Sequence, residues 1–198
     1  MLLLSENDGL FLLRVARLAL EERIRLRPTL PLGEIPAAAE RRAGAFVTLN
    51  EDGALRGCMG RVESLAPLYR TVQDCAVSAA LADPRFEPVQ PDEVPRLQIE
   101  VSVLSPLREV LPEQIELGRH GLLVTEGSFH GLLLPQVAAE RNWDRNRFLE
   151  ETCLKAGLAR GAWKEGARIF AFSAEVFREP ESEGRVASIW EIRSEDME

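Results

Sequence analysis

The sequence predicts an α+β fold with a largely antiparallel sheet. Helix-like and strand-like segments alternate along the chain, and two pairs of strand-like segments are joined by short glycine turns. No strict strand–helix–strand rhythm, which would favour a parallel sheet, runs through the chain. With 198 residues, 45% of them hydrophobic and 28% charged, the chain is typical of a globular domain of one or two lobes.

The first predicted element is a helix close to the start of the chain. Ser5 is followed three residues later by Asp8, a weak version of the capping box that begins many helices. Apolar residues at helical spacing continue as far as Leu20, and Pro28 is expected to end the helix. Residues 28–44 contain several prolines and a glycine, which indicate an irregular arm.

A β-hairpin and a second helix are predicted next. Residues 45–50 and 54–62 are strand-like, and the Asp-Gly pair within 51–53 is typical of a tight hairpin turn. The following segment carries an apolar stripe at helical spacing. Ser64 is expected to cap this helix, which should stop before Pro84.

The second half of the chain predicts three further elements and a last strand. Residues 98–106 alternate as a strand, and residues 121–135 predict a second hairpin that turns at a glycine. A helix is expected to begin after its cap Asp144 and to end at Gly157. Residues 168–177 predict one final strand.

Composition and charge exclude several classes of function. Lys and Arg number 24 against 32 Asp and Glu, a net charge of −8, so duplex nucleic acid is not an expected partner. No apolar run is long enough for a membrane span, and Glu6 and Asp8 interrupt the Leu-rich start, which therefore differs from a signal peptide. An odd count of 3 cysteines favours a cytoplasmic protein. No cysteine pair has zinc-ligand spacing, so no metal site is predicted, and the sequence does not identify a cofactor.

The stretch Ala54–Val62, ALRGCMGRV, is the first candidate site. Strand alternation places Arg56 and Cys58 on one face and puts Leu55, Gly57 and Met59 on the other, which we expect to be the core. A guanidinium beside a thiol favours the nucleophilic thiolate. The glycines let another backbone or a ligand come close. The alternative interpretation is a small buried cysteine beside a tight bend, since free cysteine is usually a packing residue.

Other titratable residues have weaker signals. Cys75 and Cys153 lie on the apolar stripes of predicted helices and are expected to be buried. His120 lies between two glycines and could act as a base or be a plain surface residue. Glu100 lies on the face of its strand opposite Ile99, Val101 and Val103, so it is either solvent-facing, which is the more frequent case, or part of a site. Arg85 follows a helix end and could simply belong to a turn.

Several segments together resemble the AMMECR-type domain family, named after the human Alport-syndrome, midface-hypoplasia and elliptocytosis chromosomal-region protein. Its prokaryotic relatives are the AmmeMemoRadiSam system protein A proteins. The family hallmark L-R-G-C-I-G is similar to Leu55–Gly60, with methionine in place of isoleucine. Further similar segments are ADPRF at Ala82–Phe86, IEVSVLSP at Ile99–Pro106, HG at His120–Gly121, and the run through residues 132–158. His130 has no counterpart in the family pattern and receives no role.

The resemblance covers residues 8–178 and implies a two-lobed α+β domain. Residues 179–198 are mostly polar and acidic, so we expect a C-terminal tail there. The resemblance also implies a groove between the lobes that collects the hallmark residues. By genomic analogy it suggests Memo-like and radical-SAM proteins as partners. It implies no settled activity.

Two functions follow as hypotheses. In the first, the chain is an enzyme with Cys58 as nucleophile or covalent carrier, assisted by His120 or Glu100. The substrate would be bound by the side chains of two arginines and at the backbone of two glycines that a ligand can approach closely, namely Arg56, Arg85, Gly57 and Gly60. The substrate would be small or a modified macromolecule, and anionic if both arginines face the groove. In the second, the chain is a binding or adaptor module that holds a peptide or protein at the same place.

Overall fold

The computed structural model describes residues 4–28 and 31–180. The helices are α1 (Glu6–Arg25), α2 (Ala37–Glu40), α3 (Leu68–Leu81), α4 (Pro135–Glu140), α5 (Arg145–Lys155) and α6 (Ala162–Glu165). The strands are β1 (Ala45–Glu51), β2 (Ala54–Arg61), β3 (Gln98–Leu104), β4 (Arg108–Glu109), β5 (Gly121–Glu126), β6 (Phe129–Leu133), β7 (Arg168–Phe172) and β8 (Ala174–Arg178). Over these ranges, every helix is too short or too polar to cross a membrane.

The described chain divides into two compact units with one sheet each. The unit from the middle of the sequence, which we call the central unit, runs from Leu104 to Glu175. The unit from the two ends of the sequence, which we call the outer unit, contains the described residues up to Val103 together with those from Val176. The first sheet has the strand order β2-β1-β3-β8, and the second has the order β4-β7-β5-β6. β1 pairs antiparallel with β2 and β3, as β5 does with β6 and β7. The mixture of helices with antiparallel sheets confirms the predicted α+β class.

The outer unit has its core between the first sheet and two helices. α3 packs on β1 and β2, and α1 packs on α3. Ile99, Val101 and Val103 of β3 are almost completely buried in this core, as their alternation predicts. The predicted capping box of α1 is present, because Ser5 accepts the Asp8 N–H and Asp8 accepts the Ser5 N–H.

The predicted first hairpin is also confirmed. Asp52 and Gly53 both have positive φ angles, 52° and 76°, which is the backbone that a tight Asp-Gly turn supplies. Strand pairing begins beside this turn at Glu51 and Ala54.

The central unit follows its sequence pattern closely. The β5–β6 hairpin turns at Gly127, whose φ is 59°, and α5 packs against it. Asp144 caps α5 by accepting the Arg147 N–H at 2.7 Å, as predicted. Gly157, with φ of 77°, lies just beyond the C-terminal end of that helix.

Two of the element predictions were wrong. α3 begins at Leu68 and not after Ser64, because extended Pro67 precedes the helix. The Ser64 hydroxyl instead accepts from the Ala66 N–H and from the Thr71 hydroxyl.

The predicted last strand is in fact two strands, β7 and β8, that belong to different sheets. The break lies at Ser173, whose N–H donates to the Ser105 hydroxyl and whose carbonyl accepts the Ser105 N–H. Ser173 is a single small polar residue in a mostly apolar run, and no proline or glycine stands there to indicate such a change of sheet.

The first residue of the predicted tail is part of the fold. Glu179 is buried, binds the Arg17 guanidinium and accepts the N–H of Ile99. The tail from residue 181 onward lies outside the described residues, and the domain boundary after 178 stays a prediction.

Candidate functional site

Cys58 lies on the face of the first sheet that points away from α3. In β1 its direct partner is Thr48, which in turn lies opposite Glu100 of β3. We call this side, with Thr48, Cys58 and Glu100, the polar face. The Thr48 hydroxyl donates to Cys58 Sγ at 3.3 Å, and the cysteine is half-buried. The thiol is therefore held on a rigid strand and remains accessible.

β2 is an edge strand, and its outer side is capped at Cys58. The Cys58 N–H donates to Asp83 Oδ2 at 2.8 Å, and the Cys58 carbonyl accepts from Arg85 Nη2 at 3.4 Å. The segment after α3 thus takes the place of a neighbouring strand at this one residue. A capped edge is protected against pairing with other chains. The LRGCMG and ADPRF motifs, which are apart in sequence, build one structure.

Asp83 is the centre of this arrangement. Only 5% of the residue is exposed, yet its carboxylate accepts from the Cys58 N–H and from the backbone, Nε and Nη2 of Arg85. The hydrogen bonds from Arg85 hold the pKa of Asp83 well below its usual range, despite the opposing effect of burial. Asp83 is consequently a fully hydrogen-bonded carboxylate at neutral pH.

Arg85 is the arginine that lies beside Cys58, with its Nη2 bound to the Cys58 carbonyl oxygen. Its pKa is raised chiefly by the side-chain hydrogen bonds to Asp83. About half of the side chain is exposed, and its guanidinium lies 5.5 Å from the centre of the Phe86 ring.

Arg56 is occupied elsewhere. Its Nε and Nη2 donate to the two carboxylate oxygens of Glu93 at 2.8 and 3.2 Å, and Nη1 donates to the Glu87 carbonyl at 2.9 Å. Both side chains of the ion pair are largely buried, and Arg56 lowers the pKa of Glu93 through these bonds. The structure therefore ties Arg56 to the loop before β3. Its predicted contact with a substrate stays a prediction.

A β-bulge changes the pattern of β2 at Arg56. Leu49 pairs with Gly57 but the next residue, Asn50, pairs with Leu55, so Arg56 has no direct partner. Leu55 is 42% exposed, and the prediction that it belongs to the core was wrong because the bulge interrupts the alternation. Met59 packs against the core, as predicted.

Gly57 and Gly60 are close to other parts of the same chain. A Cβ on Gly57 would lie 2.2 Å from the Ala79 carbonyl oxygen of α3, and a Cβ on Gly60 would lie 2.2 Å from the Phe46 ring. The sequence predicts that either another backbone or a ligand comes close to these glycines, and beside Gly57 the structure places the backbone of α3. Their contact with a ligand stays a prediction.

Glu100 is buried, so the interpretation that it faces solvent was wrong. Its carboxylate binds the Arg178 guanidinium of β8, with Nε at 2.8 Å. Glu100 and Cys58 are two strands apart, a Cα separation of about 10 Å, and Thr48 lies between them. A proton could pass between them only through an intervening group.

His120 belongs to the central unit, whereas Cys58 belongs to the outer unit. It lies just before β5, where its Nδ1 accepts the Glu116 N–H at 3.1 Å. In a neutral imidazole this arrangement places the proton on Nε2. The predicted catalytic role of His120 stays a prediction.

Cys75 and Cys153 are buried, as predicted from their helical stripes. Burial raises the pKa of Cys75 to about 11 and raises that of Cys153 as well. Cys58 is thus the accessible thiol of the described chain. Within the same residues, no group of three His, Cys, Asp or Glu is arranged to hold a metal ion.

Two site residues were not found from the sequence. Asp83 has a signal, since it lies two residues before Arg85 in the ADPRF segment. Thr48 has none, because its position opposite Cys58 depends on the bulge.

The comparisons with known proteins agree on one family. Residues 13–177 match the model of the AMMECR1 family. A protein of Methanosarcina acetivorans is 39% identical, with 93% of this chain and 98% of that protein covered. A Pyrococcus furiosus protein is 42% identical, with 92% and 93% covered. The crystal structure of an uncharacterised Pyrococcus horikoshii protein superposes with a TM-score of 0.83 at 40% identity, covering 89% of this chain and 93% of that one.

Proposed function

This chain belongs to the AMMECR1 family, and from that premise we propose that it is a cytoplasmic enzyme in which Cys58 acts as nucleophile or covalent carrier on a small or modified substrate. One observation carries the proposal. Cys58 is an accessible thiol that receives a hydrogen bond from Thr48, and the Arg85 guanidinium lies beside it, bound to the Cys58 carbonyl. An O–H donor and a nearby cation both favour a thiolate, which is the nucleophilic form.

The proposed chemistry has two steps. The Cys58 sulfur forms a bond to an electrophilic carbon, and the leaving group departs with the bonding electron pair. Water or a second substrate then takes the group from sulfur and regenerates the thiolate. Glu100 is the proposed group for proton transfer, and its variant Glu100→Gln should change the pH dependence of turnover if it has this role.

The test uses p-nitrophenyl acetate, an activated ester that reports on any nucleophilic thiol. We expect a rapid release of nitrophenolate, together with one acetyl group on Cys58 in the intact-protein mass spectrum. Cys58→Ala should remove both signals. Cys75→Ala, which changes a buried thiol, is the control and should leave them in place. Equal nitrophenolate release by wild type and Cys58→Ala would overturn the proposal.

A second candidate is a non-catalytic binding module. It is favoured by the internal contacts of Arg56, Gly57 and Gly60, which allow the hallmark motif a structural role. The partners would then be the Memo-like and radical-SAM proteins that the family resemblance suggests. Calorimetric titration with these two proteins from the same organism tests this candidate. This candidate is supported if Cys58→Ala binds one of these proteins as tightly as the wild type does and if the wild type shows no Cys58-dependent ester turnover.

A further inference from the structure

We propose that the ligand of this site carries a carboxylate or phosphate group that binds the outer edge of Arg85, and that Asp83 is the positioning residue that holds Arg85 in place beside Cys58. The inference deepens the proposed function, because it rests on Cys58 as the reacting group and names the class of molecule that reaches it.

The hydrogen bonds of Arg85 show which edge of the guanidinium is available. Nε and Nη2 donate to Asp83, and Nη2 also reaches the Cys58 carbonyl. For Nη1, the described residues offer no acceptor, and 54% of the side chain is exposed. A planar guanidinium with unused N–H donors binds carboxylate and phosphate oxygens with defined geometry.

Asp83 limits the freedom of Arg85. Three of the four hydrogen bonds that its carboxylate accepts come from Arg85, and the fourth comes from the Cys58 backbone. One buried carboxylate therefore fixes the guanidinium and the strand residue that carries the thiol at the same time. A donor that is already fixed loses less conformational entropy when it binds a ligand. Since Asp83 also cancels the charge of Arg85, recognition would depend on the position of the donors more than on net charge.

Other arginines of the outer unit provide a contrast. Arg56 uses all three of its nitrogens in internal contacts. Arg96 is as exposed as Arg85 and is likewise bound to a carboxylate, that of Glu51. Its own contacts are with Glu51 and Asp92, so it is the matched control for a loss of charge at comparable exposure.

The test compares two alkylating reagents of similar size, anionic iodoacetate and neutral iodoacetamide. In both reactions the Cys58 sulfur bonds to the CH₂ carbon and iodide leaves. Because both reagents consume the same thiolate, the ratio of their rate constants cancels the thiolate fraction and reports on recognition of the carboxylate. Arg85→Met changes the local charge by one unit even though Asp83 balances Arg85 in the wild type. One charge about 5 Å away, at an effective dielectric constant of about 50, changes a rate about tenfold. We expect Arg85→Met to lower the iodoacetate-to-iodoacetamide ratio by about that factor and Arg96→Met to change it less than about twofold.

Asp83→Asn separates positioning from net charge. This substitution removes a negative charge, so a purely electrostatic site would become more selective for iodoacetate. We expect the ratio to fall instead, because Arg85 loses the contacts that aim it. Arg85→Lys keeps the charge without the planar fork and should retain part of the selectivity. Should Asp83→Asn fail to fold by circular dichroism, the two Arg85 variants still decide the question.

Competition distinguishes the two anion classes. Acetate and inorganic phosphate are added separately, and the better ligand should slow alkylation by iodoacetate in wild type but not in Arg85→Met. An unchanged ratio in Arg85→Met, or a raised ratio in Asp83→Asn, overturns the inference. If the ratio falls as expected but p-nitrophenyl acetate shows no Cys58-dependent turnover, the anion site stands and the enzymatic proposal fails.

Discussion

The Arg56–Glu93 ion pair offers a direct test of what the hallmark motif contributes to stability. Arg56→Met keeps much of the side chain's bulk but removes the charge and three hydrogen bonds. Hydrogen bonds to charged groups contribute about 1.5–3 kcal/mol, and Glu93, whose side chain is only 16% exposed, would lose its cation. We therefore expect Arg56→Met to lower the free energy of unfolding by about 2–4 kcal/mol. Glu93 keeps the Gln90 N–H, which limits the loss.

A double-mutant cycle isolates the pair itself. We expect Glu93→Gln alone to lower the free energy of unfolding by about 1–2 kcal/mol. The free energy of unfolding of the double variant should be only slightly lower than that of Arg56→Met. The coupling energy between the two residues is then about 1–2 kcal/mol. Unfolding in urea should be followed by far-UV circular dichroism, which reports on the helices and strands of both units. Additive effects of the two substitutions would refute the interpretation that the role of Arg56 is to bind this loop.

Three further predictions concern single residues. Cys58 should react with a disulfide reagent at pH 8 within minutes, whereas Cys75, whose pKa burial raises to about 11, should react only on unfolding. Gly57→Ala should cost more than about 3 kcal/mol, because its Cβ would meet the α3 carbonyl oxygen at 2.2 Å; Gly127→Ala, with open space around it, should cost about 1 kcal/mol. Asp83 is more acidic in the folded than in the unfolded chain, so its stabilising effect is complete above its unfolded pKa of about 3.9 and is lost as the pH falls below that value. Wild type should therefore lose stability more steeply than Asp83→Asn between about pH 5 and pH 3.

Each of these predictions has a clear contrary result. Fast labelling of Cys75 in the folded protein would contradict its burial. Equal losses in Gly57→Ala and Gly127→Ala, measured by urea unfolding, would mean that α3 moves freely away from β2. Parallel pH–stability curves for wild type and Asp83→Asn would show that Asp83 does not contribute to the acid sensitivity of the fold.

Much of the fold follows from local patterns. The capping box at Ser5, the turn at Gly53 and the caps of α5 depend on residues within a few positions of one another, so sequence alone predicts them. The burial of Cys75 follows equally from the spacing of apolar residues along one helix. These features need no knowledge of the rest of the chain.

Contacts between distant segments were not predictable in the same way. Nothing near Arg56 in the sequence indicates that Glu93, 37 residues later, neutralises it. The alternation that associated Arg56 with the thiol was a local argument. The arginine that binds Cys58, at its backbone carbonyl, is Arg85, which follows a helix and reaches the strand only when α3 packs on the sheet.

The position of Cys58 itself shows where sequence and tertiary structure divide. The turn sets the register next to it, with Glu51 opposite Ala54, and an uninterrupted ladder would continue by placing Cys58 opposite the core residue Val47. The bulge at Arg56 shifts the pairing by one residue, so Cys58 lies opposite Thr48 on the polar face. A shift of one residue exchanges the two faces of a strand. The sequence by itself determined that a hairpin carries the thiol. Only the tertiary structure decided which face of the sheet the thiol lies on, because the bulge sets that face. The bulge occurs together with the packing of Gly57 against α3 and the binding of Arg56 by Glu93, and these contacts exist only once distant segments are folded together.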